Sequence, residues 1–457
     1  MILQFSVKNF RSFKDKATLS LVASNYDKDT RELENVIVNE KYKLRLLKSA
    51  IIYGANAGGK SKFIEAMIFM RNFILTSSKD TQKGESIPVE SFRLNSDTIK
   101  SGSEFEIVFL LKNNLYRYGF EVSNEKIISE WLYHKALKKE IELFYRDHQE
   151  IEANSTKLLK AKTLKKENLV RDNALFLSVL AQFNDKSAES ILEWFKDLKA
   201  ISGLKEEGYL RDTMMLSKEI VQKERILDFL KKADIGIDDF KLKKLIFDDI
   251  DTEKLDKNTP EDLRSALRGL NSYLKRTMAE ENSEAFSDVI TFHKQYDSKG
   301  KFVKNIEFSL DEDESSGTRK FFALIGQIIK IIDTGHVLFV DELDSKLHPN
   351  LVCRIISIFN SKKLNPNNAQ LVFNTHDTNL LGSGLFRRDQ IWFTQKDKFG
   401  SASLYSLADF KTDEVRKNEA FEDNYIRGKY GAVPFLGDFD ELMLNDLRNK
   451  KDDKEKS

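Results

Sequence analysis

One stretch constrains this chain more than any other: IIYGANAGGKSKFIEAM, residues 51–67. A short apolar run with β-branched residues stops at Gly54, small residues follow, and Gly59, Lys60 and Ser61 open what reads as a helix. The spacing is G-x-x-x-x-G-K-[ST], and each position has a mechanical reason. The glycines let the backbone curl so that successive N–H groups point inward at phosphates. Lys60 reaches the β- and γ-phosphates, and the Ser61 hydroxyl is a ligand of Mg²⁺. The helix that follows presents its positive end to the anion. A strand before and a helix after is the context this pattern requires. Gly54, Ala55, Asn56, Ala57, Gly58, Gly59, Lys60 and Ser61 are therefore expected to bind a nucleoside triphosphate with Mg²⁺.

A second segment, HVLFVDELDSKLHP from His336 to Pro349, is an apolar strand running into two carboxylates. Beside such a loop, Asp341 can hold Mg²⁺ through its water shell and Glu342 can orient the attacking water as a general base. The next strand, AQLVFNTHDTNLL, ends in Asn374, Thr375 and His376, about thirty-five residues after the carboxylates. Parallel neighbouring strands would place His376 beside the γ-phosphate, where an imidazole senses it by hydrogen bond. Upstream, LDEDESSGTRKFFALIGQIIKII puts Ser315, Ser316 and Gly317 at the start of a long amphipathic helix, a second anion site. One chain does not easily use two phosphate cradles on one nucleotide, which points to a dimer.

With 457 residues the chain has room for two or three substructures. Its 74 basic and 73 acidic residues leave a formal charge of +1, so any nucleic-acid or membrane contact must be local. Lys157, Lys160, Lys162, Lys165, Lys166 and Arg171 form one local basic cluster. It reads either as a nucleic-acid footprint or as a solvated helix face, the latter favoured because no aromatic residues interleave it. The N-terminal MILQFSVKNFRSF alternates like a strand, not a signal peptide, and no apolar run approaches the ~18 residues of a membrane span. A single cysteine, Cys353, excludes an internal disulfide framework and fits a reducing cytoplasm.

The order of segments predicts an α/β chain in four parts. Residues 1–155 read as strands around one helix, from Ser61 to about Ile74, forming a nucleotide-binding lobe with an antiparallel meander. Residues 156–300 read as a mainly helical insertion, with a small charged arm at about 251–285 between the apparent strands FKLKKLIF and SDVITFHKQY. Strand and helix alternation returns over 301–410, and 411–457 ends in the polar tail NDLRNKKDDKEKS, expected to be disordered.

These residues together resemble the ABC-type ATPases of the RecF, SMC and OLD branch. GANAGGKS looks like their Walker A and VLFVDE like their Walker B; ESSGT stands at the signature, DSKLHP at the D-loop and NTHD at the switch histidine. The resemblance implies an ABC-type P-loop head, a mixed sheet plus an antiparallel β lobe with a helical insertion. It also implies nucleotide contacts from Asp344 and from the neighbourhood of Asn9 and Arg11 in the opening KNFRSFKD. FRSFKD, LYRYGFEV, NALFLSVLA, ESSGTRKFF, DELDSKLHP, NTHDTNLL, RRDQIWF and YIRGKYGAVPFL further resemble the AAA-type ATPases of bacterial phage-defence systems of the RloA or AbiLi kind. That resemblance implies an ATP-driven homodimer, alone or within a larger assembly, that controls an effector encoded nearby, often a nuclease. Three departures bear on it. The signature reads SSGT instead of LSGG; Gln82 and Gln182 are Q-loop candidates without a motif around them; and about fifty residues after the last expected strand are too few for the nuclease domain of OLD relatives. The rival readings are a RecF-like repair ATPase clamping DNA and a slow nucleotide-gated scaffold.

Overall fold

The computed structural model describes residues 1–28, 30–80, 82–136, 139–244, 260–265, 267–269, 286–411, 415–416 and 419–434. The polar tail and nearly all of the charged arm expected at about 251–285 lie outside the described residues. The chain divides into two compact units. One comprises Met1–Leu204, Ile331–Ser345 and the described residues from Val352 onward; the other comprises Lys205–Lys330 and Lys346–Leu351.

The first unit is built on a sheet of β5 (Ser49–Gly54), β11 (Lys199–Ser202), β15 (Val337–Asp341), β16 (Gln370–Asn374), β17 (Ile391–Lys396) and β18 (Ala402–Ser406). Its order is β11-β15-β16-β5-β17-β18, parallel throughout except for β18. β5 and β16 are buried along their whole length, as continuous apolar runs are in a sheet covered on both faces. Because the strands run parallel, β5 ends at Gly54, β15 at Asp341 and β16 at Asn374 on one edge, where ligands of open α/β sheets bind.

A second, antiparallel sheet joins β1 (Ile2–Lys8), β2 (Ala17–Ser20), β6 (Ser103–Leu111), β7 (Asn114–Val122), β8 (Ile127–Lys135), β9 (Glu140–Asp147) and β10 (Glu150–Ala153) in the order β10-β9-β8-β7-β6-β1-β2. β3 (Val36–Asn39) and β4 (Leu44–Leu47) form a separate hairpin. The helix Lys60–Thr76 packs against strands of both large sheets, on β1 and on β5, β15 and β16. Phe63 meets Phe5 edge-on at 5.3 Å, and Phe69 meets Phe105 at 4.9 Å. Their burial merges both sheets into one core, so the meander is part of the body that carries the phosphate loop.

Much of the stretch expected to be a helical insertion belongs to this same core. The helices Phe176–Gln182 and Lys186–Asp197 pack on the helix Lys60–Thr76. The anchor is buried and polar: the Glu130 carboxylate on β8 accepts the N–H groups of Phe176 and Leu177 at 2.6 and 3.0 Å. Arg146 on β9 donates to the carbonyls of Ala174 and His148 at 2.7 and 2.6 Å, and both side chains are fully buried. The charges are tolerated because each is hydrogen-bonded and they face one another. Within the same stretch, KAIS forms β11, a strand in a segment that sequence periodicity marks as helical.

The second unit contains the helices Glu207–Leu216 and Ile220–Lys232 and an antiparallel sheet of β12 (Asp239–Lys244), β13 (Phe286–Tyr296) and β14 (Phe302–Ser309). β12 and β13 fall on the two stretches expected to be strands, paired in register Phe240↔Thr291. The helix Ser316–Thr334 begins in this unit, with Phe322 edge-on to Phe240 at 5.1 Å. Among the described residues, no helix is long and apolar enough to cross a membrane.

Candidate functional site

The phosphate loop leaves β5 at Gly54 and turns through left-handed backbone at Ala57 (φ 59°) and Gly59 (φ 114°) before the helix starts at Lys60. Asn56 and Ala57 are exposed at the tip, whereas Gly58, Gly59 and Lys60 are buried; Ser61, in the first turn, is half-buried. Lys60 is only 4% exposed, and its Nζ donates to the carbonyls of Gly54 and Ala55 at 2.8 and 3.2 Å. Burial lowers its pKa below the usual lysine value, while the carboxylates of Glu342, Asp341 and Asp344 act in the opposite direction. The fold thus brings the loop lysine and three acidic residues, distant in sequence, into one electrostatic neighbourhood.

The carboxylate turn is held from two sides. From β16, the Asn374 side chain donates to Asp341 Oδ1 at 2.6 Å and accepts the Glu342 N–H at 2.6 Å. From β11, Gly203 donates its N–H to the Asp341 carbonyl at 2.6 Å, and its own carbonyl accepts from Ser345 Oγ at 3.0 Å. A Cβ on Gly203 would lie 2.1 Å from the Glu342 carbonyl oxygen, so only glycine allows this approach. Glu342 itself is in left-handed backbone at φ 54°, a conformation a glutamate adopts only when neighbours hold it there.

His376 is exposed two residues past Asn374, and its backbone N–H donates to Asp344 Oδ2 at 3.2 Å. Asp344 Oδ1 is buried without a hydrogen-bond partner among the described residues. Ser61 and Asp341, the residues expected to hold Mg²⁺, are both half-buried and offer oxygen donors, the type a hard divalent cation takes. The described residues contain no cluster of three or more His, Cys, Asp or Glu suited to a metal ion.

Other expected residues are placed differently. Asn9 is buried, and its amide is fully used in ordering the loop ahead of β6: it donates to the carbonyls of Thr98, Ser101 and Gly102 and accepts from the Phe92 N–H. Arg11 is paired with Glu65 on the helix Lys60–Thr76 and with Glu90 at 3.0 Å. Gln182 lines a 700 Å³ groove with Leu75 and Lys79, at the opposite end of that helix from the phosphate loop. Gln82 likewise follows the far end of the helix, so neither glutamine stands at the loop. Ser315, Ser316 and Gly317 lie in the second unit. Ser315 caps the helix Ser316–Thr334, accepting the Thr318 N–H at 3.1 Å, and Ser316 is exposed in the first turn. A Cβ on Gly317 would meet the Lys346 carbonyl at 2.6 Å, so this glycine is also needed for close packing.

Sequence reasoning missed Asn374 and Gly203 as contacts of the carboxylate turn. The former carried a signal: a carboxamide directly after the apolar run Leu371–Phe373 is expected to be buried with its bonds satisfied. The described part of YIRGKYGAVPFL packs beneath the loop strand, with the Tyr425 ring 5.6 Å from Tyr53 and 5.4 Å from Phe393. Burial pushes the Tyr425 phenol up to about 12.

Comparison with known proteins identifies a family. No curated protein sequence matches the chain. Among solved structures, the chain is similar to the SMC head domain from Thermotoga maritima, at 10% identity and a TM-score of 0.38, covering 89% of this chain and 98% of that one. A sequence family described as "AAA domain, putative AbiEii toxin, Type IV TA system" matches residues 49–382. That span holds residues 54–61, 315–317, 341–344 and 374–376 on a mixed α/β fold, and the chain belongs to this family of AAA-type ATPases.

Proposed function

We propose that this chain binds and hydrolyses Mg-ATP, that two copies close around two ATP molecules, and that closure controls a separate effector, a nuclease, in anti-phage defence. The observation that carries the reading is Lys60: a buried ammonium in a phosphate loop, facing Asp341, Glu342 and Asp344. A site so arranged suits a polyanion brought in with a cation. The backbone from Gly54 to Gly59 and the Lys60 ammonium bind the phosphates. Ser61 and Asp341 would hold Mg²⁺, which when bound offsets phosphate charge. Glu342 orients the attacking water and accepts its proton, and His376, with Asp344 behind it, faces the terminal phosphate. Ser315, Ser316 and Gly317 serve the nucleotide of the other copy, in keeping with the exposure of Ser316 at the start of a 19-residue helix. Arg11 lines the nucleotide once released from Glu65 and Glu90. ATP favours the closed dimer because its γ-phosphate touches both copies, and hydrolysis removes that link.

A family named for the toxin of a toxin–antitoxin pair supports a second gene product as partner, and the resemblance to RloA- and AbiLi-like ATPases supports a nuclease. The test is the solution mass of the Glu342→Gln protein, by light scattering, with and without Mg-ATP. A doubling with ATP is expected. A monomer mass in both conditions would sink the shared site, and a large ATP-independent mass would favour the scaffold.

One observation favours a second reading, a DNA clamp: Lys157, Lys160, Lys162, Lys165 and Lys166 are all exposed. Arg171 is not part of that face, since it donates to the carbonyls of Ser77 and Ser78. The clamp predicts duplex binding that needs ATP and weakens steeply with salt.

A further inference from the structure

Asn374 is the last residue of β16 and is completely buried. Its amide is engaged at both ends by the two residues read above as the acidic pair of the site. Nδ2 donates to Asp341 Oδ1 at 2.6 Å, the short distance of a bond to a charged acceptor. Oδ1 accepts the Glu342 N–H, also at 2.6 Å. A third contact comes from the backbone, where the Asn374 carbonyl accepts the Leu343 N–H at 3.3 Å. The partners, one carboxylate and one N–H, allow a single orientation of the amide.

The two bonds do different work. The first fixes the rotation of the Asp341 carboxylate. The second holds the backbone of Glu342 at φ 54°, and that backbone decides where the Glu342 side chain leaves the turn. Only a short side chain with a donor and an acceptor on one carbon does both. Aspartate keeps the shape but turns an acceptor toward Asp341, and alanine removes both bonds.

We propose that Asn374 is a positioning residue for ATP hydrolysis, setting the metal-binding carboxylate and the general base together through one amide. This rests on the roles given above to Asp341 and Glu342. Loss of an outer partner of a metal ligand typically costs 10–100-fold in affinity or activity. A side chain serving only to fill the core would lower stability and leave both quantities alone.

The experiment compares Asn374→Asp and Asn374→Ala with the parent chain, each checked for cooperative melting. Steady-state ATP turnover is measured, and Mn²⁺ retention in the presence of ADP is followed by the electron paramagnetic resonance of free Mn²⁺. Turnover is expected to fall ~10–100-fold in both variants with the KM for ATP within ~3-fold, and Mn²⁺ to be held ~10-fold more weakly. Magnesium-free ADP binding should stay at the parent level, because the phosphate loop is untouched. Turnover and Mn²⁺ affinity both within ~2-fold of the parent would overturn the proposal. Should Asn374→Ala fail to fold, the isosteric Asn374→Asp decides alone. A parent chain that hydrolyses no ATP would instead refute the hydrolytic reading, while the Mn²⁺ measurement would still decide whether Asn374 sets Asp341.

Discussion

Lys60 holds a charge under conditions that the resting fold does not favour. Its ammonium is buried against two carbonyls, and desolvation outweighs the attraction of the three carboxylates around it. With the folded-state pKa below the unfolded one, the penalty is complete at pH values below the folded pKa and is relieved as pH rises through it. The nucleotide-free protein therefore carries that penalty wherever Lys60 is protonated. Lys60→Met should melt a degree or more above the parent without nucleotide, since ~1 kcal/mol is worth about 2–4 °C in a domain of 150–250 residues. It should show no further rise with Mg-ATP, whereas the parent should gain stability as ligand saturates it. Differential scanning fluorimetry reads both. A variant that melts lower would mean the carboxylates, left to repel one another, dominate. The place of Lys60 at the start of the helix after the loop was legible because its motif is local, six residues past Gly54. That of Asn374 was not, because its partners stand thirty-two and thirty-three residues away and only strand register brings them together.

Among the elements, β5, β15 and β16 could be read directly: each is an uninterrupted apolar run that stops at polar or small residues. β11 could not. Four residues inside a charged, helix-patterned stretch carry no period of their own, and they become a strand only because β15 offers an open edge, in register Ser202↔Asp341. The consequence falls on Gly203, which passes the carboxylate turn at a distance no side chain allows. Gly203→Ala must push β11 away or displace the turn, and overpacking of this kind costs ~1–3 kcal/mol. We expect a lower melting temperature and a fall in ATP turnover of at least ~10-fold, with ATP binding largely kept. Nucleotide titration beside a turnover assay separates these, and unchanged turnover would show that the turn yields without moving Glu342.

For the molecule as a whole, Lys48 sets a dependence of stability on pH. It is 2% exposed where the hairpin meets the central sheet, and its Nζ donates to the Asn360 carbonyl at 3.3 Å. Burial, with Lys362 nearby, brings its pKa down to about 8 from 10.5. Between those values the unfolded chain binds more protons than the folded one, so stability due to this residue rises with pH across that window. Below pH 8 the buried ammonium weighs against the fold. Lys48→Met should accordingly exceed the parent in urea midpoint at pH 7, by the equivalent of ~1–3 kcal/mol, and converge with it near pH 10. A constant difference across that range would place the effect in packing instead of charge.

The strand order of the central sheet bears on biosynthesis. β5 lies between β16 and β17, so residues 49–54 wait for residues 370–396 before either neighbour exists. On the ribosome, the phosphate loop emerges early and remains without its sheet while more than 300 residues are added. A chain released before β17 has no formed nucleotide site, however intact its loop sequence. A fragment from a message interrupted before β17 therefore carries the loop sequence without the full pair of strands that flank β5.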